Sequence, residues 1–218
     1  MKSRVQVVVI GGGVVGCSVL YHLTKMGWKD VVLIERSELT SGSTWHAAGG
    51  FHTLNADTNM AALQGYTIKL YKELEEISGQ SCGLHHVGGI TLASDEDRMD
   101  YLKAEHAKHQ HMGLDTRLVD LAEIKELCPV MNTDGVIGGM YDPLDGHLDP
   151  SGTTHAYAKA AKIQGAEIYL RNRVLELNPR GDSTWDVVTE EGTVHTDYVI
   201  NAGGLWAREV NEMAGVYL

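Results

Sequence analysis

Val5-Gln6-Val7-Val8-Val9-Ile10-Gly11-Gly12-Gly13-Val14-Val15-Gly16 is the stretch around which the chain is organised. Its first six residues are apolar except for Gln6, rich in β-branched side chains and bounded by glycine, as a buried strand should be. The next six fit G-x-G-x-x-G, with Gly11, Gly13 and Gly16 in the fixed places. A helical pattern follows, in which Val15, Val19, Leu23 and Met26 share one face, and Gly27 ends it. Val31-Val32-Leu33-Ile34 then reads as a second buried strand that closes on Glu35. Strand, glycines, helix, strand and terminal acid together make a Rossmann-like dinucleotide fingerprint.

Each residue type has a physical reason to stand where it does. Gly11 permits a tight turn, Gly13 lets the backbone approach a pyrophosphate, and Gly16 lets the helix pack closely. The start of the helix offers N–H groups and a partial positive charge to phosphate. Glu35, nineteen residues after Gly16, suits the hydroxyls of a ribose. A carboxylate there disfavours NADP, although Arg36 beside it counts the other way. NAD and FAD both remain compatible with the fingerprint. The next stretch, Thr40-Ser41-Gly42-Ser43-Thr44-Trp45-His46-Ala47-Ala48-Gly49-Gly50, is mostly small and polar. Such a loop suits an extended ligand better than the further βα unit that an NAD fold would place there.

The 218 residues, 43% hydrophobic and 22% charged, suffice for one large domain or two small ones. A net charge of −11 argues against nucleic acid or an anionic membrane as partner. The three cysteines, Cys17, Cys82 and Cys128, are scattered and suggest free thiols in a reducing compartment. No apolar run is long enough for a membrane span. Met1-Lys2-Ser3-Arg4 leads directly into the first strand. The expectation is therefore a cytoplasmic, bacterial protein, or one of the mitochondrial matrix if a presequence has been removed.

Further along, residues 57–77 read as a helix capped by Asp57, with Leu63, Thr67 or Ile68, Leu70 and Leu74 facing a core. Residues 87–93 read as a strand, 94–111 as a capped helix stopped by Gly113, 118–127 as a short helix and 135–141 as a strand. Asp149 or Ser151 caps a helix running to about Gln164, and a strand follows at 166–170. Residues 173–177, 184–188 and 193–196 form a three-stranded antiparallel excursion turning at Glu191-Gly192. Residues 197–200 then return to the parallel sheet.

The segment from Gly11 to Gly50 resembles the start of the FAD-dependent amine oxidoreductases of the D-amino-acid-oxidase superfamily, and within them the dimethylglycine and sarcosine dehydrogenases. The likeness continues through 66–74, through Tyr141 to Pro150 and through Asn201 to Glu209, and is weakest over 94–125. It implies an α/β fold with a Rossmann-like FAD-binding domain of the glutathione-reductase type over 1–86 and 150–218. A partial substrate domain is inserted at 87–149. The remaining C-terminal part of the family's fold, and any tetrahydrofolate domain, would lie outside this chain.

The resemblance also assigns residues. His46 matches the histidine bonded covalently to the flavin ring, a substituent that favours hydride acceptance. Val14 and Val15 lie at the pyrophosphate, with Gly11, Gly13 and Gly16. Glu35 and Arg36 lie at the ribose. The loop Gly42, Ser43, Thr44, Trp45, His46, Ala47, Ala48, Gly49 and Gly50 follows the ribityl chain and the ring. Val174 reaches the adenine through its backbone, and Ala202, Gly203 and Trp206 flank the cofactor. The implied reaction oxidises a small N-methyl amine and yields an iminium and a one-carbon unit, as formaldehyde or methylene-tetrahydrofolate. The oxidant would be an electron-transfer flavoprotein or oxygen. An NAD-dependent oxidoreductase and an FAD-binding module without activity of its own are the alternatives.

No metal site is expected. His106, His109 and His111 read as a solvated helix face, and the Asp142, Asp145, Asp149 run as a turn without the closing Glu of a calcium loop.

Overall fold

A computed structural model describes residues 1–53, 55 and 57–217. In chain order the elements are β1 (Arg4–Ile10), α1 (Val14–Lys25), β2 (Val31–Ile34), β3 (Gly50–Phe51), α2 (Thr58–Ser78), β4 (Gly89–Ala93) and α3 (Glu96–His111). β5 (Arg117–Val119), α4 (Leu121–Leu127), β6 (Gly138–Asp142), β7 (Gly146–His147) and α5 (Pro150–Ile163) follow. β8 (Glu167–Tyr169), β9 (Val174–Pro179), β10 (Trp185–Thr189), β11 (Gly192–Asn201) and α6 (Ala207–Met213) complete the order. Single 3₁₀ turns lie at Thr44–His46 and Gly204–Trp206. The chain divides into two compact units, 1–48 with 72–83 and 149–218, and 49–71 with 84–148. Residues 49–71 and 84–86, which the sequence grouped with the nucleotide-binding layer, cluster with the second unit.

The first unit is built on a six-stranded sheet in the order β8-β2-β1-β11-β10-β9. β8, β2, β1 and β11 are parallel, and β10 and β9 continue the sheet antiparallel. Val7 to Val9 and all of β2 are buried, as central strands of a covered parallel sheet should be. On one face Val8, Ile10, Val32, Ile34, Val174, Val187 and Val194 pack with Val210 of α6. α1 packs against α5.

The buried side of α1 is Gly16, Cys17, Leu20, Tyr21 and Thr24, while Val15 and Met26 are exposed. The stripe Val15–Val19–Leu23–Met26 is thus a real helical face but not the core face. The buried face lies about one residue further round the helix.

The antiparallel excursion also takes a different form. Residues 193–196 and 197–200 belong to one uninterrupted strand, β11, which pairs antiparallel with β10 and parallel with β1. The hairpin turns at Glu190-Glu191, since Thr189 pairs with Gly192. Of the two candidate caps for α5, Asp149 is the one used, accepting from Ser151 N–H at 2.9 Å.

The second unit holds the antiparallel sheet β4-β6-β5 and the ribbon β3–β7. Asp57 Oδ1 accepts from Met60 N–H at 2.9 Å, as a cap of α2 should. Leu63 is exposed, however, and Ala61 is buried instead. Leu118 lies in strand β5 rather than in a helix, because Asp120 caps α4 only from Leu121 onward. His109 is fully buried together with Glu105, so this side of α3 is not solvated.

Candidate functional site in the first unit

β1 is flanked by β2 on one side and β11 on the other, so the carboxyl ends of these three strands open a crevice where α/β sheets bind ligands. A cleft of about 590 Å³ lies there. Its walls include Ile10 to Val15 from β1 and α1, Ile34 to Arg36 from the end of β2, and Asn201 to Ala207 after β11. Ser41, Gly42, Ser43, Thr44 and Ala47 of the loop also line it, with Arg173 and Val174 at the start of β9.

Two glycines are fixed by backbone proximity. Gly11 adopts φ +112°, and a Cβ on it would lie 2.4 Å from Ala202 O. A Cβ on Gly16 would lie 1.9 Å from Gly11 O, so the turn and the first turn of α1 touch backbone to backbone. The contact that calls for Gly16 is therefore with the turn itself.

The acid at the end of β2 is held in place. Glu35 Oε2 accepts from Gly12 N–H at 2.6 Å, and Oε1 accepts from Ser37 N–H at 2.8 Å. One lone pair on each oxygen is used, and a second remains for hydroxyl donors. Asn172 N–H donates to Glu35 O at 3.0 Å, which draws the start of β9 to the same corner.

Thr44 Oγ1 accepts from Val14 N–H at 3.0 Å, and so caps α1 from a distant segment. Arg36 lies with its guanidinium 3.7 Å from the Trp206 ring centroid, a cation–π contact within the wall. Asn201 ties the far wall together by donating to Ala207 O at 2.7 Å and accepting from Gly203 N–H at 3.0 Å. Beneath the turn, burial pushes the Cys17 thiol up to about 12, with Glu35 adding to the effect, so this cysteine is inert packing.

Of the residues singled out from sequence, Gly11, Gly13, Val14, Val15, Glu35, Arg36, Gly42, Ser43, Thr44, Ala47, Val174, Ala202, Gly203 and Trp206 line the cleft. Gly16 is buried behind it. Trp45, His46 and Ala48 are exposed and do not line it. His46 lies on the 3₁₀ turn between the lining residues Thr44 and Ala47, its ring 3.8 Å from that of Trp45. Its Nδ1 is 3.2 Å from Gly42 O. A carbonyl can only accept, so Nδ1 is the donor in this contact. Gly49 and Gly50 belong to the second unit, where Gly50 pairs with His147.

Among the lining residues that the sequence reading missed are Gly12, Ser41 and Arg173. The first two stand inside motifs already recognised, so the signal was present. Arg173 carried none.

Residues 6–218 match the family described as DAO, FAD dependent oxidoreductase. The chain belongs to this family. The FAD family decides the question that the fingerprint left open between dinucleotides. The NAD reading gives way, and Arg36, stacked on Trp206, is engaged without a 2′-phosphate.

The chain is 43% identical over 215 residues to the mitochondrial dimethylglycine dehydrogenase of Rattus norvegicus, covering 99% of this chain and 25% of that protein. Identity to the mitochondrial sarcosine dehydrogenase of Homo sapiens is 38% over 222 residues, covering 99% of this chain and 24% of that protein. The crystal structure of L-proline dehydrogenase from P. horikoshii superposes with a TM-score of 0.90 at 29% identity, covering 99% of this chain and 57% of the other. The chain thus spans about a quarter of the length of these curated relatives. The cleft fits an FAD dinucleotide: its turn admits no Cβ at Gly11 or Gly16, and a held carboxylate faces it.

Proposed function

We propose that the first unit binds FAD in the cleft at the ends of β2, β1 and β11, as the flavin-binding part of an enzyme oxidising a small N-methyl amine such as dimethylglycine or sarcosine. The observation that carries the reading is the cleft itself, with Glu35 held by Gly12 and Ser37 beside a glycine turn that tolerates no side chain. The identity to dimethylglycine and sarcosine dehydrogenases supports the substrate class.

In this reading the turn Gly11–Gly13 and the start of α1, with Val14 and Val15, take the pyrophosphate. Glu35 takes the ribose through its remaining lone pairs, and Val174 offers its backbone to the adenine. Gly42 to Ala48 follows the ribityl chain, and Ala202, Gly203 and Trp206 form the opposite wall. His46, whose Nδ1 donates to Gly42 O, is the residue through which the flavin is attached. Bound FAD would supply hydride acceptance from the N-methyl carbon, and the substrate iminium would then be hydrolysed to formaldehyde and the demethylated amine, or release that amine on passing its one-carbon unit to tetrahydrofolate. An electron-transfer flavoprotein or oxygen takes the electrons. Residues 87–149 form part of a substrate-binding domain.

A second reading is an FAD-binding module with no turnover of its own. The test is an absorbance spectrum before and after acid precipitation, for the protein and for His46→Ala. Flavin colour that stays in the washed pellet and leaves it in the variant supports the covalent link. Colour released from both proteins removes the role of His46 but keeps the FAD site. Dimethylglycine or sarcosine failing to bleach a yellow protein favours the module.

A further inference from the structure

The opposite edge of the six-stranded sheet carries a surface that the flavin reading does not use. β8 is the outermost strand there, and among the described residues nothing pairs with its open side. Tyr169 O accepts from Glu35 N–H at 2.9 Å, and Arg171 N–H donates to Ser37 O at 3.0 Å, so these two residues turn their backbone toward the sheet. Ile168 and Leu170 alternate with them and present their N–H and C=O groups outward.

Beside this edge lies a hollow of about 450 Å³. Leu39, Ile163, Ile168 and Leu170 give it an apolar floor, and Ile163 is 60% exposed. Its rim is basic, with Lys159 and Lys162 on the outer side of α5 and His155 one turn before them. Neither lysine has an ion-pair partner among the described residues. The nearest acids in sequence to the hollow are already engaged, Glu38 with Arg171 and Glu167 with Lys2. An unbalanced cationic rim stands out on a chain of net charge −11.

We propose that this edge docks an extended, acidic segment of a partner protein, which adds a strand to β8. Its hollow-facing residues alternate between apolar side chains, seated on Leu39, Ile163, Ile168 and Leu170, and carboxylates, paired with Lys159 and Lys162. Backbone bonds to Ile168 and Leu170 provide affinity, and the hollow and the lysines provide selection. A second copy of the chain fits poorly, because pairing β8 with its own counterpart would bring the same lysines together.

The probe is a labelled nonapeptide, Thr-Glu-Thr-Leu-Thr-Glu-Thr-Leu-Thr, which places Glu, Leu, Glu and Leu on one face of a strand. It should bind the full chain at least tenfold tighter than the same peptide with lysine in place of glutamate, read by fluorescence anisotropy. Lys159→Glu with Lys162→Glu should invert that order, and hydrogen exchange at the Ile168 and Leu170 amides should slow when the acidic peptide is bound. Both substitutions lie on exposed positions away from the flavin cleft, so an unchanged thermal unfolding curve certifies the fold. The proposal is overturned if the acidic peptide does not bind or binds no better than the basic one. It is equally overturned if a backbone N-methylated peptide binds as well, if the two amides stay unprotected, or if the chain self-associates through this edge instead.

Discussion

The two units bury different kinds of group. Around the cleft of the first unit, fixed geometry comes from backbone meeting backbone, as where Gly16 abuts Gly11 O and Gly11 abuts Ala202 O. Its core behind the strands is aliphatic. The second unit buries ionisable groups. Glu105 is 1% exposed and leaves Oε2 without a hydrogen-bond partner, while fully buried His109 leaves both ring nitrogens so. Asp142 is 2% exposed and accepts from the Thr53 hydroxyl, with Asp145 beside it accepting from Thr53 N–H at 3.1 Å. The glycine turn of the first unit is therefore intolerant of added volume, and the buried carboxyls and imidazole of the second make it sensitive to pH.

Gly16→Ala is the sharpest way to break the first half of that contrast. A methyl group 1.9 Å from a backbone oxygen forces the turn apart, and the expected loss is on the order of 3 kcal/mol. Flavin should be lost with it, and urea unfolding with the absorbance spectrum reads both. Retention of full stability and colour would show that the turn can give.

The second half turns on two groups of opposite sign. Burial pushes the Asp145 carboxyl up to about 6, with Asp142 adding to it. A raised carboxyl contributes stability that is present below 3.8 and is lost as pH rises through 6. Asp145→Asn should therefore raise stability at pH 7 by about 1 kcal/mol, discounted for its partial exposure, with no gain near pH 4. Burial lowers the His109 imidazole below 6.5, so its contribution is present above that pH and is lost as pH falls through the folded value. His109→Leu should stabilise more near pH 5 than at pH 7.5, because it removes a buried imidazole that resists the proton which the unfolded chain takes up. Unfolding at pH 4, 5 and 7.5 separates the two: the Asp145→Asn gain should shrink from pH 7.5 to 4 while the His109→Leu gain grows from pH 7.5 to 5, and gains that do not change with pH would sink the account. The smallest effect on stability is expected at exposed His46, where alanine should cost within about 0.5 kcal/mol while altering flavin retention.

Much of the fold was legible because its signals are local. β2 begins and ends where its apolar run does, and Asp57, Asp95 and Asp149 cap their helices from adjoining residues. The lining of the cleft was legible for the same reason, since Gly11 to Val15, Glu35 and Ala202-Gly203 stand inside motifs of a few residues. Other features depended on partners far along the chain. The buried side of α1 is chosen by what packs on it, not by its own periodicity. The continuity of β11 depends on β1 and β10 pairing with it at once. His109 looked solvated because i, i+3 spacing says which residues share a face and not which face is covered.

The sequence by itself determined a dinucleotide fold and the order of its first elements, because glycine stereochemistry and hydrophobic period act within a few residues, while the family rested on the resemblance carried by residues 11–50. Only the tertiary structure decided that Thr44 caps α1, that Arg36 rests on Trp206, and that His46 is exposed on a turn between two residues of the wall. Each of those joins segments distant along the chain or turns on exposure, and neither is written in local sequence.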